Sequence, residues 1–284
     1  MLKWQRNYIL SIQTDDGYID ISLPFTLNFR ITRNTMASAN TAKITIYNLA
    51  EGTRRKIYKD KYKTNVYKGI ELRAGYGDRK ETLPLIFKGN ILQAYSQREA
   101  VDYRTDIECY DGGFALVNGL TNRAFDKNTP EKQIIKSLIE DLPNTDIGKI
   151  GNFDEVVPRG NSMQGNTAEI IKEITKENFF IDNEKVYCMK ENECFLGNIR
   201  EIKSASGLMG SPLREETFLT FTMLFEPRLQ IGQYIKLTSE TEKLFNGEYK
   251  VLGIEHGGVI SDSQSGTCTT KVSLYYGALP LQII

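Results

Sequence analysis

One histidine, four scattered cysteines and two pairs of adjacent carboxylates are what this sequence offers for chemistry. His256 follows Glu255 and precedes Gly257-Gly258. Catalysis there would need a nucleophile or a metal as partner. The chain has no second histidine, no H-E-x-x-H and no G-x-S-x-G. A working site needs several converging groups, so His256 is read as structural or solvated. Cys188 and Cys194 are spaced more widely than the C-x-x-C pairs typical of zinc sites. An iron–sulfur site would have to gather the distant Cys109 and Cys268 as well. Four free, buried thiols are the expectation. Asp15-Asp16 and Glu215-Glu216 have the residue types of a glycosidase pair, but adjacent carboxylates in loops are usually solvated. Gly75-Tyr76-Gly77 is not followed by a helix start, so it makes no phosphate cradle. The largest charge run is Arg54, Arg55, Lys56, Lys59, Lys61 and Lys63. It reads as a solvated helix face or a docking surface for an acidic partner, ahead of contact with DNA. No catalytic, cofactor-binding or metal-ligating residue is assigned, and no cofactor is expected.

The composition agrees. Among 284 residues, 36 basic and 36 acidic side chains cancel, which removes the simplest case for a free nucleic-acid-binding protein. No apolar run approaches the ~20 residues that span a bilayer. The N-terminus lacks the apolar core of an export signal. Scattered cysteines fit synthesis in a reducing cytoplasm. The 15 Tyr and 13 Phe lie largely in alternating runs, and many of the 23 Gly stand at turn-like positions. That mixture favours β structure.

The elements follow from periodicity. Ile19, Ile21, Leu23, Phe25, Leu27, Phe29 and Ile31 alternate with mostly polar residues, as in a long strand with one buried face. Pro24 interrupts it, which predicts a sheet edge or a bend. A polar stretch, 32–40, leads to a second strand containing Ile44 and Ile46. Asn48 and Glu51 have capping-box spacing. Further strands and turns run to residue 111, including a turn at Gly77-Asp78. Thr129-Pro130-Glu131 predicts a helix start, with Ile134, Ile135, Leu138, Ile139 and Leu142 on one face and Pro143 as its stop. Asn166 and Glu169 make a second capping pattern before Ile170, Ile171 and Ile174. Residues 178–189 read as strand, tight turn, strand. Glycines and a proline make 201–216 a loop-like linker. Alternation returns with Leu219, Phe221, Met223 and Phe225.

The two β regions resemble each other. The first holds Ile70-x-Leu72, Phe87-x-Gly89 and a strand ending Cys109-Tyr110-Asp111-Gly112. The second holds Ile235-x-Leu237, Phe245-x-Gly247 and a strand ending Tyr275-Tyr276-Gly277. The fold class expected is mainly β with an α+β insert: two similar barrel-like, tube-like β domains flanking a small α/β region. The expected domains are 1–115, 116–216 and 217–284. A threefold oligomer of such a chain would present six similar barrels in a ring.

The residues also carry a family resemblance. Phe29-x-Ile31 through Asn40-Thr41-Ala42-Lys43-Ile44-Thr45-Ile46-Tyr47-Asn48-Leu49, then Thr53-Arg54, resembles the opening of bacteriophage tail baseplate hub proteins. Arg73-Ala74-Gly75-Tyr76, Phe87-Lys88-Gly89 and Tyr110-Asp111-Gly112 are similar to later pieces of that family. Phe245-Asn246-Gly247-Glu248-Tyr249-Lys250-Val251 and His256 look like the second barrel of late-control, hub-type proteins. The resemblance implies a non-enzymatic virion protein of the tail baseplate, a homotrimer joining a sixfold tail tube to a threefold central spike. It implies tube or tube-initiator, spike and other baseplate proteins as partners, and transient passage of DNA. With nothing spike-like after the second β region, the spike is expected to be a separate protein. Two rivals stand beside this reading: a distal tail or tube-initiator protein forming hexameric rings, and a cell-wall hydrolase or sugar-binding β protein.

Overall fold

The computed structural model describes residues 5–77, 82–215, 217–263, 266–277 and 279–284. Alternation builds the first region. Strand β1 (Arg6–Thr14) buries Tyr8, Leu10 and Ile12 and turns at Asp15-Asp16 into β2 (Gly17–Ser22). The apolar run 19–31 is two strands, not one. A turn holding Pro24 breaks it, and β3 (Leu27–Asn34) resumes the same phase with Leu27, Phe29, Ile31 and Arg33 inward. Proline has no N–H to give a ladder, and β2 accordingly lies at one end of the sheet. Strand β4 (Asn40–Tyr47) buries Asn40, Ala42, Ile44 and Ile46.

Helix α1 (Glu51–Ile57) follows, without a side-chain cap. Asn48 adopts φ +59° and bonds across to the next hairpin. Its amide donates to Asp102 at 2.8 Å and its carbonyl accepts from Tyr103 N at 2.9 Å. The capping-box spacing was misleading because that pairing claims the side chain. Strands β5 (Gly69–Tyr76), β6 (Leu85–Glu99) and β7 (Asp102–Asp111) complete the region. Gly77 bends with φ +107°, and Asp78 lies outside the described residues.

The middle of the chain forms its own small core. It comprises α2 (Gly113–Asn118), β8 (Leu120–Phe125), α3 (Glu131–Ile139), β9 (Asp146–Ile150), β10 (Asn161–Asn166), α4 (Thr167–Thr175), β11 (Phe179–Asp182) and β12 (Lys185–Cys188). The predicted face of α3 is buried at Ile134, Ile135, Leu138 and Ile139, and the helix ends short of Pro143, leaving Leu142 buried in the turn that follows. Its first residue is Glu131; Thr129 Oγ1 turns back to Asp126 O rather than capping. Asn166 does cap α4, accepting from Glu169 N at 3.1 Å. Asn183 and Glu184 both have positive φ, +54° and +59°. That is the two-residue turn whose twist suits a hairpin between β11 and β12.

The second β region starts earlier than its alternation shows. Strand β13 (Glu193–Ile202) pairs in parallel with β16 (Gln233–Leu237). The stretch read as a linker is β14 (Leu208–Glu215), an antiparallel partner of β15 (Phe218–Leu224). Gly210, at φ +66°, and Pro212 sit in an irregularity of β14, which is why the sequence reads as loop. Strands β17 (Gly247–Ile260), β18 (Cys268–Tyr275) and β19 (Gln282–Ile283) finish the chain.

Among the described residues, the two β regions share one 14-stranded sheet, ordered β14-β15-β18-β17-β3-β4-β7-β6-β5-β1-β2, with β13, β16 and β19 branching from it. The seam is β3 against β17, antiparallel from Asn34 opposite Gly253 to Leu27 opposite Ile260. This path is open: β14 and β2 are its ends and do not pair with each other.

The strand order repeats. In the first region β3, β4, β7, β6 and β5 are successive antiparallel neighbours. In the second, β14, β15, β18, β17 and β16 are too. The two longest strands, β6 and β17, bulge at Leu92 and at Leu252. Laying one bulge on the other aligns the partners. Ile70 and Leu72 fall on Ile235 and Leu237, and Tyr110 and Gly112 on Tyr275 and Gly277. The Phe-x-Gly pair does not align: Gly89 falls on Tyr249, two residues from Gly247.

Candidate functional site

The groups singled out for chemistry do not converge, but one of them lies in a polar junction where all three parts of the chain meet. Arg33 of β3 is 2% exposed, at the inward phase of its strand. Its guanidinium faces the Asp182 carboxylate of β11, with Nη1 3.3 Å from both oxygens. Nη2 donates to Leu229 O at 2.9 Å and reaches His256 Nε2 of β17 at 3.3 Å. Guanidinium can only donate, so Nε2 accepts and the ring proton sits on Nδ1, 2.9 Å from Thr270 Oγ1. The Phe225 ring meets the imidazole edge-on at 5.4 Å. Burial first, and the Arg33 charge second, hold His256 well below the ordinary imidazole range. It is a neutral, positioned histidine, and the Thr270 hydroxyl beside it accepts from Nδ1 and from Glu226 N rather than giving the ring its proton.

Asp111 extends the junction. At the end of β7 it is fully buried and accepts from Asn183 N at 2.6 Å and Glu184 N at 2.8 Å. Asn40 donates to it at 3.4 Å and to Ile181 O at 2.8 Å. Burial, then the nearby Asp182 charge, push Asp111 up to about 7 against the donors that favour its ionised form. Gly112 follows with φ +73°, and a Cβ there would come within 2.8 Å of Ile181, so the close approach requires glycine. Glu184 ties the same turn to the first region through Tyr67 Oη and, at 3.1 Å, Lys88 Nζ. The site is built to fix the β11–β12 hairpin against the β3–β17 seam.

The remaining candidates are separate. Cys109, Cys188, Cys194 and Cys268 are all buried and free. Burial raises each thiol, Cys188 to about 12 and Cys268 to about 11, so their reactive thiolate forms are suppressed. Among the described residues, no group of three or more His, Cys, Asp or Glu side chains comes together as metal ligands.

The carboxylate pair meets the basic run: Asp16 binds Lys56 at 2.9 Å. Arg55 pairs with Glu51, and Arg54 lies 3.8 Å over the Tyr103 ring. Lys59 is buried, donating to Val66 O and Ile91 O, and burial lowers it to about 8. Arg55, Lys56, Lys61 and Lys63 are the exposed members of what read as a docking face, the first two of them in surface ion pairs. Glu215 lies 4.0 Å from Lys271, and Glu216 lies outside the described residues.

With fold and junction in view, comparison with known proteins decides the family. The model of the baseplate hub gp41 family matches residues 9–262. The chain belongs to the baseplate hub gp41 family. It is thus a structural protein of the phage tail baseplate. Its fold is similar to a tail protein from Neisseria meningitidis, at TM-score 0.61 and 9% identity over 94% of this chain and 96% of that one. A prophage MuSo2 43 kDa tail protein from Shewanella oneidensis gives 0.61 and 8%, with the same coverages, 94% and 96%. An E. coli type VI secretion component, described as structurally similar to the T4 bacteriophage tail proteins gp27 and gp5, gives 0.58 and 10% over 90% and 74%. No curated protein matches the chain in sequence.

In this hub-family chain the polar stretch 32–40 is shorter than it reads. Arg33 and Asn34 belong to β3 and Asn40 to β4. Between them Ala37 packs on the core of the insert and Met36 is exposed. Sequence reasoning missed Arg33, Asp182 and Asp111. The available signal was a charged residue at an inward strand phase, which a buried position tolerates only with partners.

Proposed function

We propose that this protein is the central hub of its baseplate, a trimer that joins a sixfold tail tube to a threefold spike. The observation that carries the reading is the doubled strand pattern. Each chain brings two five-strand units side by side, so three copies bring six. Six similar units suit a tube end, and three identical chains suit a spike. The two units act as tube-like barrels completed in the assembly, and the insert packs against the seam between them. In this reading the domains are 1–115, 116–192 and 193–284, the second unit starting at Glu193 because β13 and β14 pair with its strands.

The partners of this hub are the tube or tube-initiator protein, the spike and other baseplate proteins, and DNA passes through the ring after the spike leaves. It works in the virion tail after synthesis in the host cytoplasm. It has no enzymatic role; its buried histidine and thiols hold structure. Negative-stain class averages of the full chain with tube and spike proteins test the reading. Rings with six lobes and threefold symmetry support it. True sixfold rings of the chain would instead make it a tube initiator, and persistent monomers would overturn it.

A further inference from the structure

A cleft of about 840 Å³ opens on the insert, away from the polar junction. Three stretches wall it: residues 152–155 with the start of α3, the last turn of α4, and the turn at 190–192 with Leu279 beside it. Its floor is apolar. Phe153 is 5% exposed, Ile174 is half-buried, and Leu279 stands 54% exposed at the wall.

The walls are fixed by hydrogen bonds of the chain itself. Glu131 N donates to Glu155 O at 2.8 Å and Lys132 N to Phe153 O at 3.1 Å. The fully buried Glu193 carboxylate accepts from Asn152 N at 2.9 Å and from Lys190 N at 2.8 Å, joining the first stretch to the third. Asn192 Nδ2 donates to Pro280 O at 2.9 Å, and Gln282 N to Asn192 O at 2.9 Å, which holds Leu279 in place. A preformed cleft with an apolar floor charges an incoming group little for ordering.

Charge selects the occupant. Glu131, Asp154, Glu155, Glu177 and Glu191 stand around the floor, against Lys176 and Lys190. Among the described residues none of these carboxylates is in an ion pair. On the sheet, by contrast, Glu255 answers Arg30 and Glu108 answers Lys43. In a chain whose 36 basic and 36 acidic residues cancel, the cleft carries a local excess of negative charge. The end of α4 adds its partial negative charge through the last turn that lines the cleft. One ammonium is already drawn in: Lys190 Nζ lies 5.7 Å from the centroid of the Phe153 ring.

We propose that this cleft docks a basic segment of another baseplate protein, an apolar side chain of the segment on the floor and its lysine or arginine groups at the rim. The surface rests on the reading above that other baseplate proteins are partners, and not on the number of copies. A hydrated metal ion gains nothing from an apolar floor, and among the described residues no three ligating side chains come together to hold one. A peptide uses floor and rim together.

Photo-cross-linking tests it. Full chain with benzoylphenylalanine in place of Leu279 is assembled with its baseplate proteins and irradiated. The expected adduct joins residue 279 to one segment of a different protein, carrying lysine or arginine within a few residues of an apolar side chain. That segment, as a synthetic peptide, is expected to bind the native full chain and to weaken about tenfold or more on Glu155→Lys/Glu177→Lys, and again at high salt. Both substituted residues are exposed, so the melting temperature of the double variant is expected to stay unchanged. Unchanged peptide affinity in that variant overturns the proposal, as does an adduct to an acidic segment or to another copy of this chain. Spermidine binding as tightly as the peptide would make the cleft a polyamine site instead. Assembled baseplates without an adduct overturn the docking and leave the hub reading intact; a chain that enters no baseplate overturns both.

Discussion

Arg33 and Asp182 face each other at 3.3 Å with side chains 2% and 6% exposed, one from the first β region and one from the insert. Removing one member of such a pair leaves the other charge buried and uncompensated, which costs about 3–5 kcal/mol. Arg33→Met also orphans Leu229 O and His256 Nε2. Urea unfolding of Arg33→Met is expected to show a loss of at least about 3 kcal/mol. The double variant Arg33→Met/Asp182→Asn is expected to recover part of it. A loss below about 1 kcal/mol for Arg33→Met would make the junction incidental.

His256 gives the molecule a pH dependence of defined sign. Its folded form stays neutral well below the ordinary value of about 6.5. Above that pH neither state binds the proton and stability is flat in this group. Below it, the unfolded chain takes up a proton that the folded chain refuses, so stability falls by up to about 1.4 kcal/mol per pH unit. Asp111 acts in the opposite sense. Raised to about 7, it binds its proton in the folded state first, so its contribution grows as pH falls through that value. The two offset one another in wild type. The difference between wild type and His256→Gln in melting temperature, scanned from pH 8 to pH 5, isolates the histidine. The wild-type advantage is expected to shrink below about pH 6.5; a constant difference would mean that His256 titrates normally.

The basic run separates into buried and exposed members. Lys59 Nζ serves Val66 O, Asn90 Oδ1 and Ile91 O. Lys59→Ala strands these acceptors and is expected to cost about 2 kcal/mol or more. Lys61→Ala/Lys63→Ala is expected to stay within about 0.5 kcal/mol, since both side chains are in solvent. Thermal unfolding of the two variants side by side reads the contrast, and equal effects would contradict it.

The thiols report on the core. All four cysteines are buried and burial raises each. A disulfide reagent at pH 8 is expected to find no fast-reacting thiol in the native chain and four after unfolding. A native thiol reacting within the mixing time would place that cysteine at the surface.

Much of the fold was legible in the sequence, and the gaps have physical reasons. Alternation located β3, β4, β15 and β18 because each has one face on the core. Ile70-x-Leu72 and Ile235-x-Leu237 marked true equivalents because each pair lies beside the long strand of its own unit, β6 or β17, and is buried. Phe87-x-Gly89 and Phe245-x-Gly247 did not. Gly89 is required by Tyr110 O, 2.5 Å from where its Cβ would be, whereas Gly247 meets only its own strand's Tyr249. Strand β14 was hidden because an edge strand with a bulge, a glycine and a proline has the composition of a loop. The junction was hidden for another reason. Arg33, Asp182 and His256 lie far apart in the chain, and only the β3–β17 seam brings them together.

The central claim is that three copies of this chain, each carrying the strand pattern twice, form the hub. Native mass measurement of the full chain, alone and with its tube and spike proteins, tests it most directly. A species of three chains, retained when the spike protein binds, is the result this account predicts. A species of six chains, or a chain that stays single with both partners present, would contradict it.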